Sequence, residues 1–168
     1  MTYRIGHGFD VHRLENGDGM MLGGVFIQCP YKIIAHSDGD VMIHALCDAL
    51  LGAIGGGDIG KLFPDSDVKY RGMAGQRLLA DVMSRVRAAG MRVVNADLTL
   101  VAQVPRVAPH TETMRALLAG ELGVANEVVN IKATTNEGMG HIGRGEGIAA
   151  HAVVLLAKVE ATNAPATP

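Results

Sequence analysis

Aromatic residues are scarce in this 168-residue chain, which has three tyrosines, three phenylalanines and no tryptophan. The core must therefore be built from Val, Leu, Ile, Met and Ala. Charge is also nearly balanced, at a formal net charge of -2, so no basic surface argues for a nucleic-acid partner. No apolar run reaches the roughly 18 residues of a membrane span, and no secretory leader is evident. We expect a protein that binds neither nucleic acid nor a membrane.

Cysteine is rare as well, and Cys29 and Cys47 do not have the spacing of a metal-binding pair. A reduced, cytoplasmic chain is the simpler interpretation. Glycine, by contrast, occurs 22 times and clusters next to His and Asp, where a backbone must approach a ligand closely. The length fits one domain, which we expect over residues 1–160, with a disordered tail over 161–168.

Residues 40–54 have the pattern of an amphipathic helix that Asp40 caps at its N-terminus. Asp40, His44 and Asp48 follow at intervals of four and share one edge of that helix. These three residues form a polar ridge, which is either a solvated helix edge or part of a functional site. The pattern of the helix alone leaves both interpretations open.

The stretch 3–14 alternates like a strand and favours the second interpretation. Asp10 and His12 lie side by side on the face that also carries Gly6 and Gly8. Together with His44 they supply three ligands suited to zinc and leave a fourth tetrahedral position open, as in a catalytic zinc site.

The rest of the chain predicts a single α/β (α+β) domain with a mixed four-stranded sheet and helices on one face. We expect a hairpin over 20–27, a loop from Pro30 to the capped helix, helices over 74–89 and 109–122, and strands over 91–104, 128–135 and 148–159. Val94, Ala96, Leu98, Leu100, Ala102 and Val104 should face the helices. The opposite, semi-polar face suits a subunit interface, with His151 as an interior or interface histidine rather than a metal ligand.

Five glycines, two acids and an arginine lie within residues 136–147. A flexible linker is one interpretation, and a phosphate-binding loop is the other. Glycine amides, Arg144 and the hydroxyls of Ser37, Thr134 and Thr135 all bind phosphate oxygens, and the carboxylate of Glu137 can hold Mg²⁺. The set suits phosphoryl transfer, although no P-loop motif is present.

Four motifs also match a known family in order and spacing. They are Gly6-His7-Gly8-Phe9-Asp10-Val11-His12, His36-Ser37-Asp38-Gly39-Asp40, Asp58-Ile59-Gly60 with Phe63-Pro64-Asp65, and Gly143-Arg144-Gly145-Glu146-Gly147. Over residues 3–158 the chain closely resembles the 2-C-methyl-D-erythritol 2,4-cyclodiphosphate synthase family. The resemblance implies a phosphorus–oxygen lyase of the non-mevalonate isoprenoid pathway that cyclises 4-diphosphocytidyl-2-C-methyl-D-erythritol 2-phosphate and releases CMP. It also implies a homotrimer whose sheets pack around a three-fold axis, with active sites between adjacent subunits.

The resemblance also implies roles for individual residues. Asp10, His12 and His44 match the zinc ligands, and Glu137 matches the ligand of a second ion, Mg²⁺ or Mn²⁺, on the substrate diphosphate. His36 and Thr135 match residues that stabilise the transition state. The matched substrate contacts are Asp58 and Gly60 for the ribose, Ala102, Pro105, Arg106, Val107 and Ala108 for the cytosine, and Phe63, Asp65 and Asp67 for the erythritol part. Arg144 and His141 match residues at an axial cavity that can hold an isoprenoid diphosphate.

Two other functions remain open at this stage. One is a non-catalytic, zinc-stabilised trimer that binds isoprenoid diphosphates or nucleotides, and the other is a zinc phosphohydrolase that uses an activated water. The reaction products distinguish the three hypotheses.

Overall fold

The computed structural model describes residues 2–35, 37–63 and 72–160. The strands are β1 (Tyr3–Asn16), β2 (Met20–Leu22), β3 (Val25–Ile27), β4 (Tyr31–Ile34), β5 (Met91–Val101), β6 (Val129–Thr134) and β7 (Gly147–Lys158). The α-helices are α1 (Val41–Ile54), α2 (Ile59–Leu62), α3 (Gly75–Ala88), α4 (Thr111–Leu122) and α5 (Gly140–Gly143). Residues 161–168, the expected disordered tail, lie outside the described residues.

The main sheet has the strand order β4-β1-β7-β5-β6. Strands β5 and β6 are parallel and the other neighbours are antiparallel, so the prediction of a mixed sheet is confirmed. The predicted number of four strands is wrong, because Tyr31–Ile34 pairs with the end of β1. Four residues are too few for a clear alternation, and this strand forms because β1 offers it an edge. The expected hairpin is present as β2 and β3.

One face of the sheet carries the core. Buried side chains of β5 and β7, such as Leu98, Leu100 and Val154, pack under α1 and α3, and α4 packs on β6. The opposite face, which we call the open face, exposes Ile5 and Phe9 of β1 by 73% and 48%. Helices therefore lie on one side of one α/β domain, as predicted. Within the part of the chain that is described, no helix is long and apolar enough to cross a membrane.

The predicted facing of β5 is only partly correct. A register shift between Val93 and Asn95 places Val93 in the core and leaves Val94 half-buried. The strand also ends at Val101, so Val104 is not part of it. Such a bulge depends on the partner strand, and the alternation of β5 alone does not reveal it.

Helix α1 is buried almost all round, so the interpretation of its polar ridge as a solvated edge is wrong. Asp40 is fully buried and His44 is 7% exposed. The helix lies directly on β1 at two glycines: a Cβ atom at Gly6 or Gly8 would lie 1.8 or 1.9 Å from a helix carbonyl oxygen. The sequence suggested that glycines of this kind leave room for a ligand. In the structure, these two glycines instead allow the helix backbone to approach the strand.

Candidate active site

Asp10, His12 and His44 meet where α1 begins above β1. His12 Nε2 and His44 Nδ1 lie 2.9 and 3.0 Å from Asp10 Oδ2, and 3.0 Å from each other. Two of the residues come from one strand face, and the third comes from the first turn of the helix that Gly6 and Gly8 admit. The structure therefore brings together the three ligands that the sequence predicted.

The electrostatics of this cluster favour an anionic carboxylate between two imidazoles. Burial raises the pKa of Asp10, but hydrogen bonds and charge interactions with His12 and His44 outweigh it, so the pKa lies well below its usual range. Burial lowers the pKa of His44, whereas the hydrogen bond with Asp10 raises it, and the net direction is upward. A cation bound between these residues would replace the imidazole protons as the partner of the Asp10 carboxylate.

The donor set fits a divalent metal ion. Two imidazole nitrogens and one carboxylate oxygen are typical ligands of zinc, whose bonds of about 2.0–2.1 Å place tetrahedral ligand atoms roughly 3.3 Å apart. The observed separations of 2.9–3.0 Å need only a slight opening. Ser37 Oγ lies 3.2 Å from His44 Nε2. With the proton on Nε2 directed to Ser37, Nδ1 has a lone pair for the ion.

Asp40 fixes the start of α1, a role that goes beyond the predicted cap. Its Oδ1 accepts hydrogen bonds from the amides of Gly23, Met42 and Ile43, and its Oδ2 accepts one from Gly24. The carboxylate thus joins the helix to the β2–β3 turn and sets where His44 stands. The sequence showed that Asp40 lies one helical turn before the predicted ligand His44. It did not show that the β2–β3 turn is the other partner of the Asp40 carboxylate.

Asp48, on the same helix edge, positions the segment that contains Asp58 and Gly60. Its Oδ1 accepts a hydrogen bond of 2.8 Å from the amide of Ile59. Burial raises the pKa of Asp48, with a partial offset from this bond. Asp58 caps α2 through Lys61, at 2.8 Å. The two predicted ribose contacts are therefore held beside α1.

Thr135 and Glu137 lie just beyond the end of β6. Thr135 Oγ1 donates to Glu137 Oε1 and accepts from the Glu137 amide, both at 3.3 Å. Among the described non-glycine residues, Glu137 is the one with a positive φ, +49°, a backbone conformation that costs free energy and persists mainly at functional positions. The Glu137 carboxylate is therefore exposed, and its hydrogen bond with Thr135 fixes it at the turn that follows β6.

The predicted cytosine loop joins the same sheet edge. The amide of Ala102 donates to the carbonyl of Thr134 at 3.0 Å. Ala102 and Val107 are buried, Pro105 is half-buried, and Arg106 and Ala108 are exposed. The loop after β5 and the segment after β6 are therefore adjacent within one chain.

Two other predicted residues lie on the surface. Arg144 is exposed, and its Nε donates to Glu146 Oε1 at 2.7 Å. The sequence did not predict this ion pair, in which Glu146 of the same chain compensates the charge of Arg144. His141 is exposed beside them in α5. Phe63 is half-buried at the end of α2. His36, Asp65 and Asp67 lie outside the described residues.

The cluster of Asp10, His12 and His44 and the Thr135–Glu137 segment are far apart within one chain. Asp10 pairs with Ala150, which pairs with Leu100, which in turn pairs with Ala133. Three strand spacings of about 4.8 Å separate β1 from β6, or roughly 14 Å in total. One chain therefore carries two separate groups of candidate site residues at the same end of its sheet.

Comparison with known proteins adds independent evidence. Residues 3–157 match the YgbB family. The 2-C-methyl-D-erythritol 2,4-cyclodiphosphate synthase of Pseudomonas paraeruginosa is 57% identical over 153 residues, which are 91% of this chain and 98% of the relative. The protein of the same name from Azotobacter vinelandii is 56% identical over 153 residues, with the same coverage of 91% and 98%.

Solved structures agree with these sequence matches. A structure of a 2C-methyl-D-erythritol-2,4-cyclodiphosphate synthase in a form bound to CDP has a TM-score of 0.85 and 40% identity, covering 92% of this chain and 100% of that one. The CDP complex of IspF from Plasmodium falciparum has a TM-score of 0.83 and 29% identity, covering 94% and 97%. The bifunctional IspDF from Campylobacter jejuni has a TM-score of 0.91 and 39% identity, and the match covers 95% of this chain but 43% of that longer protein.

Proposed function

The chain belongs to the YgbB family, and on that premise we propose that it cyclises 4-diphosphocytidyl-2-C-methyl-D-erythritol 2-phosphate to 2-C-methyl-D-erythritol 2,4-cyclodiphosphate, with release of CMP. This is a step of the non-mevalonate pathway to isoprenoid precursors, and it makes the enzyme a phosphorus–oxygen lyase. The observation that carries the proposal is the Asp10, His12 and His44 cluster in a chain that matches synthases over nine-tenths of its length.

The reaction needs positioning and charge neutralisation more than it needs a base. An oxygen of the 2-phosphate attacks the β-phosphorus, a new P–O bond forms, and the bond between the β-phosphorus and the bridging oxygen breaks, so that CMP leaves. The nucleophile is already ionised at neutral pH, and the attack is intramolecular, which removes much of the entropic barrier. The remaining barrier is the repulsion between two anions, which cations and hydrogen-bond donors reduce.

We assign the cation-binding residues accordingly. Asp10, His12 and His44 would hold Zn²⁺, and Glu137 would hold Mg²⁺ or Mn²⁺ together with the substrate diphosphate. When bound, the two ions neutralise phosphate charge. Asp10 supplies the single negative charge of the first centre, and Ser37 orients His44 through Nε2. Thr135 would donate to a phosphate oxygen, with His36 as its expected companion in stabilising the transition state.

The substrate contacts follow the family resemblance. Ser37 and Thr134 would bind phosphate, and Asp58 and Gly60 would bind the ribose. The loop with Ala102, Pro105, Arg106, Val107 and Ala108 would hold the cytosine, and the hydrogen bond from the Ala102 amide to Thr134 at the end of β6 supports this assignment. The segment with Phe63, Asp65 and Asp67 would cover the erythritol part.

We further propose a homotrimer with active sites between adjacent subunits. Each such site would combine two half-sites, the Asp10, His12 and His44 cluster of one subunit and the Thr135–Glu137 segment of its neighbour. The separation of roughly 14 Å between these half-sites within one chain supports this arrangement, because one diphosphate cannot reach both. The open face, with Ile5 and Phe9 exposed, would be the contact surface around the three-fold axis. Arg144 and His141 would lie near that axis, where an isoprenoid diphosphate could bind. The unpaired state of Cys29 and Cys47 fits a cytoplasmic location.

Phosphorus NMR of the reaction mixture tests the function directly. The purified protein is incubated with the cytidine diphosphate substrate, Zn²⁺ and Mg²⁺, and the expected products are CMP and a cyclic diphosphate. Release of inorganic phosphate would instead indicate a zinc phosphohydrolase. Unchanged substrate with metal bound would indicate a binding protein, and either result would overturn the proposal.

A further inference from the structure

A second pair of histidines lies on the open face of the sheet, away from the first metal cluster. His7 Nε2 and His151 Nδ1 are 3.2 Å apart, and their ring planes differ by 24°. Both residues are exposed in the chain. The two lie 144 positions apart in the sequence, so no local motif connects them. The sequence interpretation of His151 as an interior or interface histidine did not include this partner.

The pairing of β1 with β7 fixes the geometry of these two side chains. His7 is opposite Val153 and Phe9 is opposite His151, so the histidines are diagonal neighbours across two central strands. The ring of Phe9 lies against His151, with centroids 4.8 Å apart. On the other face, Gly6 and Gly8 let α1 pack closely against β1, so the strand that carries His7 lies in a packed part of the fold. Ligands on rigid strands are held more precisely than ligands on loops.

The two ring nitrogens are within hydrogen-bond distance of each other, and the same separation is close to that of two ligands on one transition-metal ion. Two nitrogens at zinc-bond lengths in a tetrahedral site are about 3.3 Å apart, against 3.2 Å here and 3.0 Å between His12 and His44. Imidazole suits Zn²⁺, Cu²⁺ and Ni²⁺, and Cu²⁺ binds most tightly of these three in a given nitrogen site. We propose that His7 and His151 form a second site for a divalent transition-metal ion.

This site is independent of the first one. Side chains alternate along a strand, so His7 faces away from Asp10 and the sheet separates the two centres. Both ligands belong to one chain, but they lie on the open face, so the proposed trimer would enclose the site at its contact surface. Only two protein ligands hold the ion, so it is bound more weakly than at the first centre, is lost on dialysis and returns when metal is added.

Equilibrium dialysis of the metal-stripped enzyme against Zn²⁺ tests the proposal without substrate. The parent protein should bind two ions per chain in two phases, the tighter at Asp10, His12 and His44. His151→Gln and His7→Gln should each keep the tight phase and lose the weaker one. His110→Gln, which changes a histidine in the loop before α4, is the matched control and should keep both phases. An unchanged weaker phase in His151→Gln and His7→Gln would overturn the proposal.

Cu²⁺ spectroscopy gives a second readout that does not depend on counting ions. In the His44→Ala background, paramagnetic resonance of added Cu²⁺ should show coupling to two nitrogens. Coupling should fall to one nitrogen when His151→Gln is added. Retained zinc at the first centre of the single variant His151→Gln checks that this substitution leaves the fold intact. A two-nitrogen signal that survives both His7→Gln and His151→Gln would place the copper elsewhere and refute the site.

Discussion

His44 joins α1 to Asp10 and His12 of β1, and its replacement tests the proposed metal binding separately from folding. His44→Ala should lower the zinc retained after dialysis from about one ion per chain to almost none, because two ligands hold zinc far less tightly than three. Turnover should fall by roughly a thousandfold, as expected when several kcal/mol of charge stabilisation are lost. Elemental analysis after dialysis measures the metal.

The fold of the His44→Ala variant should persist, because the apolar contacts of α1 are unchanged. Far-UV circular dichroism checks this point, and His110→Ala serves as a control that should keep its zinc. Normal zinc content in His44→Ala would remove this residue from the site.

Glu137 combines a strained backbone with an exposed carboxylate, and two substitutions separate these properties. Glu137→Gln should keep the shape, lose roughly a thousandfold in rate and require far more Mg²⁺. Glu137→Gly should be just as inactive, yet at least as stable as the parent and up to about 1 kcal/mol more stable, because glycine accepts the positive φ without strain.

Turnover against Mg²⁺ concentration and urea unfolding are the two measurements for Glu137. A Glu137→Gln variant with the parent's rate and Mg²⁺ dependence would make Glu137 an ordinary loop residue. The zinc content of both variants should match that of the parent, since the first centre lies across the sheet.

The close packing of α1 on β1 brings Asp10, His12 and His44 together. Gly8→Ala would place a Cβ atom 1.9 Å from the carbonyl oxygen of Ala45, in the helix backbone. The helix must then move away and take His44 with it. We expect a loss of at least about 1–3 kcal/mol in the free energy of unfolding, as for other overpacked cores, and a marked loss of zinc affinity.

The same helix provides the matched control for Gly8→Ala. A Cβ atom at Gly52 would meet nothing within 4 Å, so Gly52→Ala should raise the free energy of unfolding by about 0.5–1 kcal/mol and keep zinc. Urea unfolding followed by circular dichroism compares the two. Equal stability of the two variants would show that the close approach at Gly8 is unimportant.

At the scale of the whole molecule, the proposed intersubunit site makes a prediction about mixtures. His44→Ala and Glu137→Gln should each be inactive alone. After denaturation and joint refolding at equal amounts, activity should return to about a quarter of the parent level, because a random trimer joins the two intact half-sites at one interface in four. Steady-state turnover measures the recovery.

Light scattering on the same mixture should give three times the mass of the chain. Refolding of each variant by itself is the control and should restore no activity. If the mixture also stays inactive while the parent refolds normally, the two half-sites do not meet between subunits.

Local pattern determined much of this protein. Alternation placed Asp10 and His12 on one face of a strand, and helical spacing placed Asp40, His44 and Asp48 on one edge of a helix. The capping role of Asp40 and the β2–β3 hairpin also followed from the sequence. These features depend on residues within a few positions of one another, so the periods of strands and helices are enough to predict them.

Only the tertiary structure decided which of these surfaces meet. The short strand β4 exists because β1 offers it an edge, and the register shift in β5 exists because β7 lies beside it. The role of Gly8 required the helix above it, and the pairing of His7 with His151 required two strands from opposite ends of the chain. The same holds for the roughly 14 Å between the half-sites, which follows from the strand order. In each case the deciding contact joins residues far apart in sequence, and local periodicity carries no information about that contact.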